Sequence, residues 1–137
     1  MRRLLVVAIA VVAGTLFFAL AWAQTAPEEP LQISVPEGAE LKMARVMVPH
    51  APHAAAGIEC AQCHHTWDQA AGDPVACASS GCHDLANPAT TEEKQSPAYF
   101  RNAFHAPVDQ SCNGCHKTRK DAGESHGPTG CPDCHAG

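Results

Sequence analysis

Four times in this chain a pair of cysteines is followed at once by a histidine. The segments are Cys60-Ala-Gln-Cys63-His64, Cys77-Ala-Ser-Ser-Gly-Cys82-His83, Cys112-Asn-Gly-Cys115-His116 and Cys131-Pro-Asp-Cys134-His135, and they use all eight cysteines. In an exported chain an even cysteine count first suggests disulfides, and cysteine mixed with histidine suggests zinc. Neither needs a histidine directly after every second cysteine. Cys-x-x-Cys-His is the attachment pattern of a c-type haem. Each sulfur joins one vinyl group of the porphyrin, so both anchors must come from one short, curved segment. The next residue is then carried under the ring, where its imidazole ligates iron. In residues 77–83 the two additional residues are expected to loop outward while both sulfurs still reach the vinyls. The pattern predicts four haem c groups. Cys60, Cys63, Cys77, Cys82, Cys112, Cys115, Cys131 and Cys134 would attach them, and His64, His83, His116 and His135 would be the proximal iron ligands.

The other histidines fit the opposite faces. His50, His53, His65, His105 and His126 remain, five candidates for four distal positions. Methionine is the competing sixth ligand, and only Met43 and Met47 lie beyond the start of the chain. Bis-histidine ligation at all four irons is the reading. His65 cannot reach the far face of the porphyrin that His64 holds, because adjacent residues cannot straddle one ring. It is assigned to a neighbouring haem, which brings two haems together through one peptide unit. His50 and His53 lie on a short proline-containing segment and suit two adjacent haems. His105 is the fourth distal ligand. His126, in a Gly/Pro-rich loop, is the spare.

The 137 residues suggest one folded domain. Arg2 and Arg3, the apolar run from Leu4 to Ala21, and Ala21-Trp22-Ala23 together read as a cleaved secretory signal peptide over residues 1–23. An uncleaved anchor is the alternative, the run being near the lower length for a span. Residues 24–30 read as a flexible leader and 31–137 as the haem domain. Without Arg2 and Arg3, 7 of the 9 basic residues face 14 acidic ones, a formal charge of −7. That charge disfavours nucleic acid and anionic lipid, and suits a partner with a basic docking patch. Of the aromatics only Trp67, Tyr99, Phe100 and Phe104 lie after residue 23. So few large apolar side chains make a thin core, and the haems are expected to form the core instead, with the polypeptide wrapped round them.

The expected fold class is small and mostly irregular or α-helical, with a short N-terminal two-stranded β-sheet. The sheet would pair residues 31–35 with 41–48 across Pro36-Glu-Gly38. Short helices are expected at 59–71 and 111–120, with a start at Thr90. Residues 96–105 read as a helix with Phe100 and Phe104 on one face. Proline in 49–54 predicts an extended turn there. Lys117, Arg119 and Lys120 read as a solvated face.

The His50-x-x-His53 pair, Cys60-x-x-Cys63-His64-His65, the long-spaced motif at 77–83 and the single His105 before the third motif together resemble the class III c-type cytochromes, the cytochrome c3 family. The resemblance spans roughly residues 31–135. It implies the pairings His50 with His64, His65 with His83, His53 with His116, and His105 with His135. It also implies a periplasmic, low-potential electron carrier of anaerobic, sulfate-type respiration. Its implied partners are redox proteins: hydrogenase, formate dehydrogenase or a membrane-bound cytochrome complex. The last motif is short where many members have four residues between the cysteines. Lysines are few, which makes the chain similar to the acidic branch that works with membrane complexes. A monomer with no direct small-molecule substrate is expected, and no enzymatic activity. The alternative is a multihaem reductase of a small oxyanion or metal ion, which needs an iron with an open face.

Overall fold

The computed structural model describes residues 25–68 and 72–136. The expected signal peptide lies outside the described residues. Among those described, no helix is long and apolar enough to cross a membrane. Among the described residues the order is a two-stranded sheet followed by six short helices.

β1 (Leu31–Gln32) pairs antiparallel with β2 (Met47–Val48), Leu31 opposite Val48 and Gln32 opposite Met47. One more bond, Ile33 N–H to the Val46 carbonyl at 3.0 Å, extends the pairing. The hairpin is the expected one, but its strands are much shorter than 31–35 and 41–48. Pro36 and Pro49 stand beside the paired region without an amide to donate. The Ala44 carbonyl, which a longer ladder would engage, accepts from the His135 ring instead.

α1 (His50–Ala55) replaces the extended turn expected from the prolines. Pro49 is the N-cap and Pro52 occupies the first turn. Amides there have no acceptor within the helix, so the missing N–H costs nothing. The helix closes on Gly57, with φ of 73°. Ile58 N–H returns to the His53 carbonyl at 3.1 Å and Gly57 N–H to that of Ala54 at 3.0 Å, the paired bonds of a Schellman ending. α2 (Cys60–Cys63) is a single turn rather than a helix over 59–71, because His64 leaves helical dihedrals at φ −86° and ψ 58°. Residues 69–71 lie outside the described residues.

α3 (Thr91–Gln95) begins where expected. The Thr90 hydroxyl accepts from Glu93 N–H, and the Glu93 carboxylate accepts from Thr90 N–H, a complete capping box. α4 (Asn102–His105) is only the second half of the helix expected over 96–105. In the first half the backbone is used elsewhere: Leu85 N–H donates to Ala98 and Phe100 N–H to Leu85, at 3.0 and 3.1 Å. Phe100 and Phe104 still meet, edge to face, with centroids 5.2 Å apart.

α5 (Cys112–Asp121) matches the expected helix at 111–120. Ser111 caps it, accepting from Gly114 N–H at 2.9 Å and donating to the Ala106 carbonyl at 2.5 Å. A Cβ on Gly114 would lie 2.6 Å from the Val108 nitrogen, so only glycine lets the preceding loop cross the first turn. α6 (Cys131–Cys134) is again a single turn. Among the described residues no hydrophobic side chain is buried, and Ser111, at 1 % exposure, is the largest side chain fully enclosed. Leu31, Leu41, Met43, Met47, Val75 and Val108 are all exposed. Among the described residues the polypeptide has no apolar core of its own, where its composition predicts a thin one.

Candidate haem sites

Each attachment motif is built the same way. In α2, α5 and α6 the first cysteine opens a helical turn, so the second, three residues on, falls on the same face. His64 N–H and His135 N–H return to the carbonyls of Cys60 and Cys131 at 2.9 and 3.0 Å. In the longer motif His83 N–H makes the same bond to the Cys77 carbonyl, at 3.0 Å. The extra residues are taken up in turns closed by Ser79 N–H to Ala76 and Cys82 N–H to Ser79, both at 3.0 Å. Gly81 sits there with φ of 81° and donates to the Asp84 carboxylate. The histidine therefore leaves the first cysteine identically whether two or four residues intervene.

The eight cysteines form no disulfide. Among the described residues no three His, Cys, Asp or Glu side chains converge on one point as a zinc site requires. Burial pushes the Cys112 thiol up to about 11, and Cys63, Cys77 and Cys134 add to the shift. Burial also raises Cys63, with Cys115, Cys77 and Cys60 contributing. Burial raises Cys77 and Cys134 likewise. The mutual effects show that Cys63, Cys77 and Cys112, from three motifs, lie near one another.

The histidines fall into four pairs. His50 faces His64 with ring centroids 6.4 Å apart and planes 10° from parallel. His53 faces His116 at 6.1 Å and 18°. His105 faces His135 at 6.2 Å and 7°. His65 faces His83 at 5.8 Å, with the rings crossed at 63°. A metal–imidazole bond is about 2.0–2.1 Å and the ring centre lies ~1.2 Å beyond the nitrogen, so two imidazoles on opposite sides of one metal stand about 6.4 Å apart. The observed separations of 5.8–6.4 Å leave room for an iron between the rings of each pair. The consecutive His64 and His65 turn to different partners. His126 is outside every pair; its Nδ1–H donates to the Gly127 carbonyl at 2.7 Å.

Among the described residues, five of the eight paired imidazoles are held from behind. Nδ1 of His53 donates to the Pro49 carbonyl at 2.7 Å and that of His105 to Arg101 at 3.0 Å. His83 donates to Pro97 at 2.5 Å, His116 to Pro128 at 2.8 Å and His135 to Ala44 at 2.6 Å. A carbonyl can only accept, so Nδ1 carries the proton and Nε2 keeps the lone pair that a metal needs. The acceptors of His53 and His105 lie four residues upstream, a spacing readable in a helical sequence. Those of His83, His116 and His135 come from distant segments and leave no sequence signal. Nδ1 of His50 is buried without a hydrogen bond. Desolvation lowers its pKa, the neighbouring His64 and His53 lower it further, and the Val48 backbone, out of bonding geometry, opposes weakly. Lys94, Tyr99, Arg101 and Asn102 line a hollow beside His105, placing two cations next to that pair.

A model of the class III cytochrome c family matches residues 24–135. The chain is 40% identical over 103 residues to cytochrome c3 of Maridesulfovibrio salexigens, which covers 75% of this chain and 89% of that one. The di-tetrahaem cytochrome c3 of Desulfovibrio gigas superposes with a TM-score of 0.64 at 33% identity, over 80% of this chain and 95% of the other. Cytochrome c3 of Desulfovibrio desulfuricans Essex 6 does so with a TM-score of 0.53 at 31% identity, over 74% and 84%.

Proposed function

This chain belongs to the class III cytochrome c family, multihaem electron carriers that bind haem c, and on that premise we propose that it carries four bis-histidine haems as a periplasmic, low-potential electron carrier. The observation that carries the reading is the set of four imidazole pairs, each joining the histidine of one attachment motif to a histidine from elsewhere in the chain. When bound, each haem supplies a one-electron iron couple. Cys60 and Cys63, Cys77 and Cys82, Cys112 and Cys115, and Cys131 and Cys134 hold the four groups covalently. His50 and His64, His65 and His83, His53 and His116, and His105 and His135 close both faces of the four irons. The carbonyls of Pro49, Pro97, Arg101, Pro128 and Ala44 orient five of those rings and raise their basicity, which favours the oxidised iron and a low potential. Lys94 and Arg101 beside His105 suit an anionic group at that pair.

With every motif histidine partnered, the chain offers no iron a free face for substrate, which favours the carrier over the reductase reading. The sequence of residues 1–23 supports export to the periplasm. The acidic balance after residue 23 supports docking on a basic patch of a redox partner. That partner is a hydrogenase, a formate dehydrogenase or a membrane-bound cytochrome complex of anaerobic, sulfate-type respiration, and the chain meets it as a monomer. The test is haem content and ligation of the mature protein from a host with the cytochrome maturation machinery. Four haems per chain, all low-spin, with no rapid binding of carbon monoxide by the reduced native protein, are expected. Rapid binding at one haem would transfer the reading to a reductase.

A further inference from the structure

Gly127 and Pro128 lie in the loop between α5 and α6, against the edge of the His116 ring. A Cβ on Gly127 would fall 2.6 Å from Nε2 of His116 and 2.8 Å from its Nδ1. Both are inside the distance that real Cβ atoms keep, and the obstacle is a ring held at its base by α5. Gly127 is not among the glycines with positive φ. Its requirement is therefore space and not backbone freedom. The next residue provides the Pro128 carbonyl that accepts from His116 Nδ1–H at 2.8 Å.

The loop is pinned where it leaves the helix. Arg119 Nε donates to the Ser125 carbonyl at 2.8 Å, and its guanidinium pairs with Glu124 at 3.3 Å. Glu124 N–H returns to the Arg119 carbonyl at 2.9 Å. The loop thus cannot recede freely if residue 127 grows a side chain.

We propose that Gly127 is a positioning residue that seats the His116 imidazole on the Pro128 carbonyl and so holds down the potential of the iron that His116 shares with His53. The inference rests on the reading that His53 and His116 ligate one iron. A hydrogen bond from Nδ1–H increases the basicity of the ligating nitrogen. A more basic imidazole stabilises the oxidised iron, and the potential falls. A methyl group at residue 127 pushes the ring away from its acceptor, and the potential rises.

The experiment is a redox titration of the Gly127→Ala holoprotein, with each haem followed by nuclear magnetic resonance. The His53–His116 haem is expected to rise by roughly a tenfold change in its one-electron equilibrium, about 59 mV, with smaller changes at the other three. Four low-spin haems with that potential unmoved would overturn the proposal while leaving the shared-iron reading in place. His53→Ala separates the two. If the iron it opens is not the one held by His116, the shared-iron reading falls and the proposal with it. Should Gly127→Ala fail to mature, deuterium exchange of ring N–H groups in the native protein decides. Exchange at His116 slower than that of an unbonded imidazole N–H supports the seat on Pro128, and exchange at the unbonded rate overturns it.

Discussion

Two imidazole pairs start from the same short helix and differ in almost everything behind them. His50 and His53 both lie on α1, facing His64 and His116 at nearly equal separations. Behind the second pair both rings donate to carbonyls, of Pro49 and Pro128. Behind the first pair, the buried Nδ1 of His50 has no hydrogen-bond partner. One helix thus contributes a ring to each of two pairs that differ in their support. On the proposed ligation, the pairs would set where electrons sit, and the carbonyls behind them how strongly each site prefers the oxidised state.

The strongest way to break this comparison is to remove one ring from each pair. His50→Ala and His53→Ala are each expected to convert one of four low-spin haems to a carbon monoxide-binding form, read from the reduced difference spectrum. The haem opened should be the one attached at Cys60 and Cys63 in the first case and at Cys112 and Cys115 in the second. The same haem opening in both variants would end the idea that α1 divides its histidines between two irons. A smaller effect is expected of His65→Met, which replaces imidazole by a thioether and raises the potential. The rise should be greatest at the haem attached at Cys77 and Cys82. An equal rise at the haem attached at Cys60 and Cys63 would contradict the divergence of His64 and His65.

The attachment motifs were legible because covalent chemistry fixes their spacing. His65 was legible because neighbouring residues cannot straddle one ring. The proline at 52 misled for a reason of position: proline in a first turn breaks no hydrogen bond, and the sequence alone does not mark where the turn begins. The helix over 96–105 was overextended because backbone groups of its first half pair with distant Leu85, through Ala98 and Phe100, and the one over 59–71 because His64 leaves helical dihedrals. The Pro97, Pro128 and Ala44 carbonyls were invisible for the same reason. A backbone acceptor carries no residue signature, and Ala44 is 91 positions from His135.

A finer test of the two pairs lies at Arg119, which touches no imidazole. Its bonds to Ser125 and Glu124 hold the loop that carries Pro128. The ion pair is partly exposed, and on its own contributes about 0–1 kcal/mol. Arg119→Ala is therefore expected to raise the His53–His116 potential by less than Gly127→Ala does, and to leave the His50–His64 potential unchanged. Redox titration of the separate haems checks it. A larger shift at His50–His64 would mean that the support behind the two pairs is not independent.

The smallest effect should come from α3, which carries none of the paired imidazoles and meets their region through Lys94, beside His105, and through Asn102, whose amide donates to the Lys94 and Ser96 carbonyls at 3.0 and 2.9 Å. Glu93 accepts from the amides of Thr90 and Ala89, and these bonds hold its carboxyl below the usual carboxylate range, mild desolvation opposing. A folded-state pKa below the unfolded one gives a contribution fully present above the ordinary carboxylate pKa and lost as pH falls through the depressed value. Amide protection in α3, taken relative to the intrinsic exchange rate at each pH, should therefore fall on acidification below about pH 4, before that of the helices that carry cysteine motifs. Glu93→Gln should remove that pH dependence and leave all four potentials in place. A potential shift in Glu93→Gln, above all at His105–His135, would show that α3 tunes a haem site through Asn102 rather than merely bracing it.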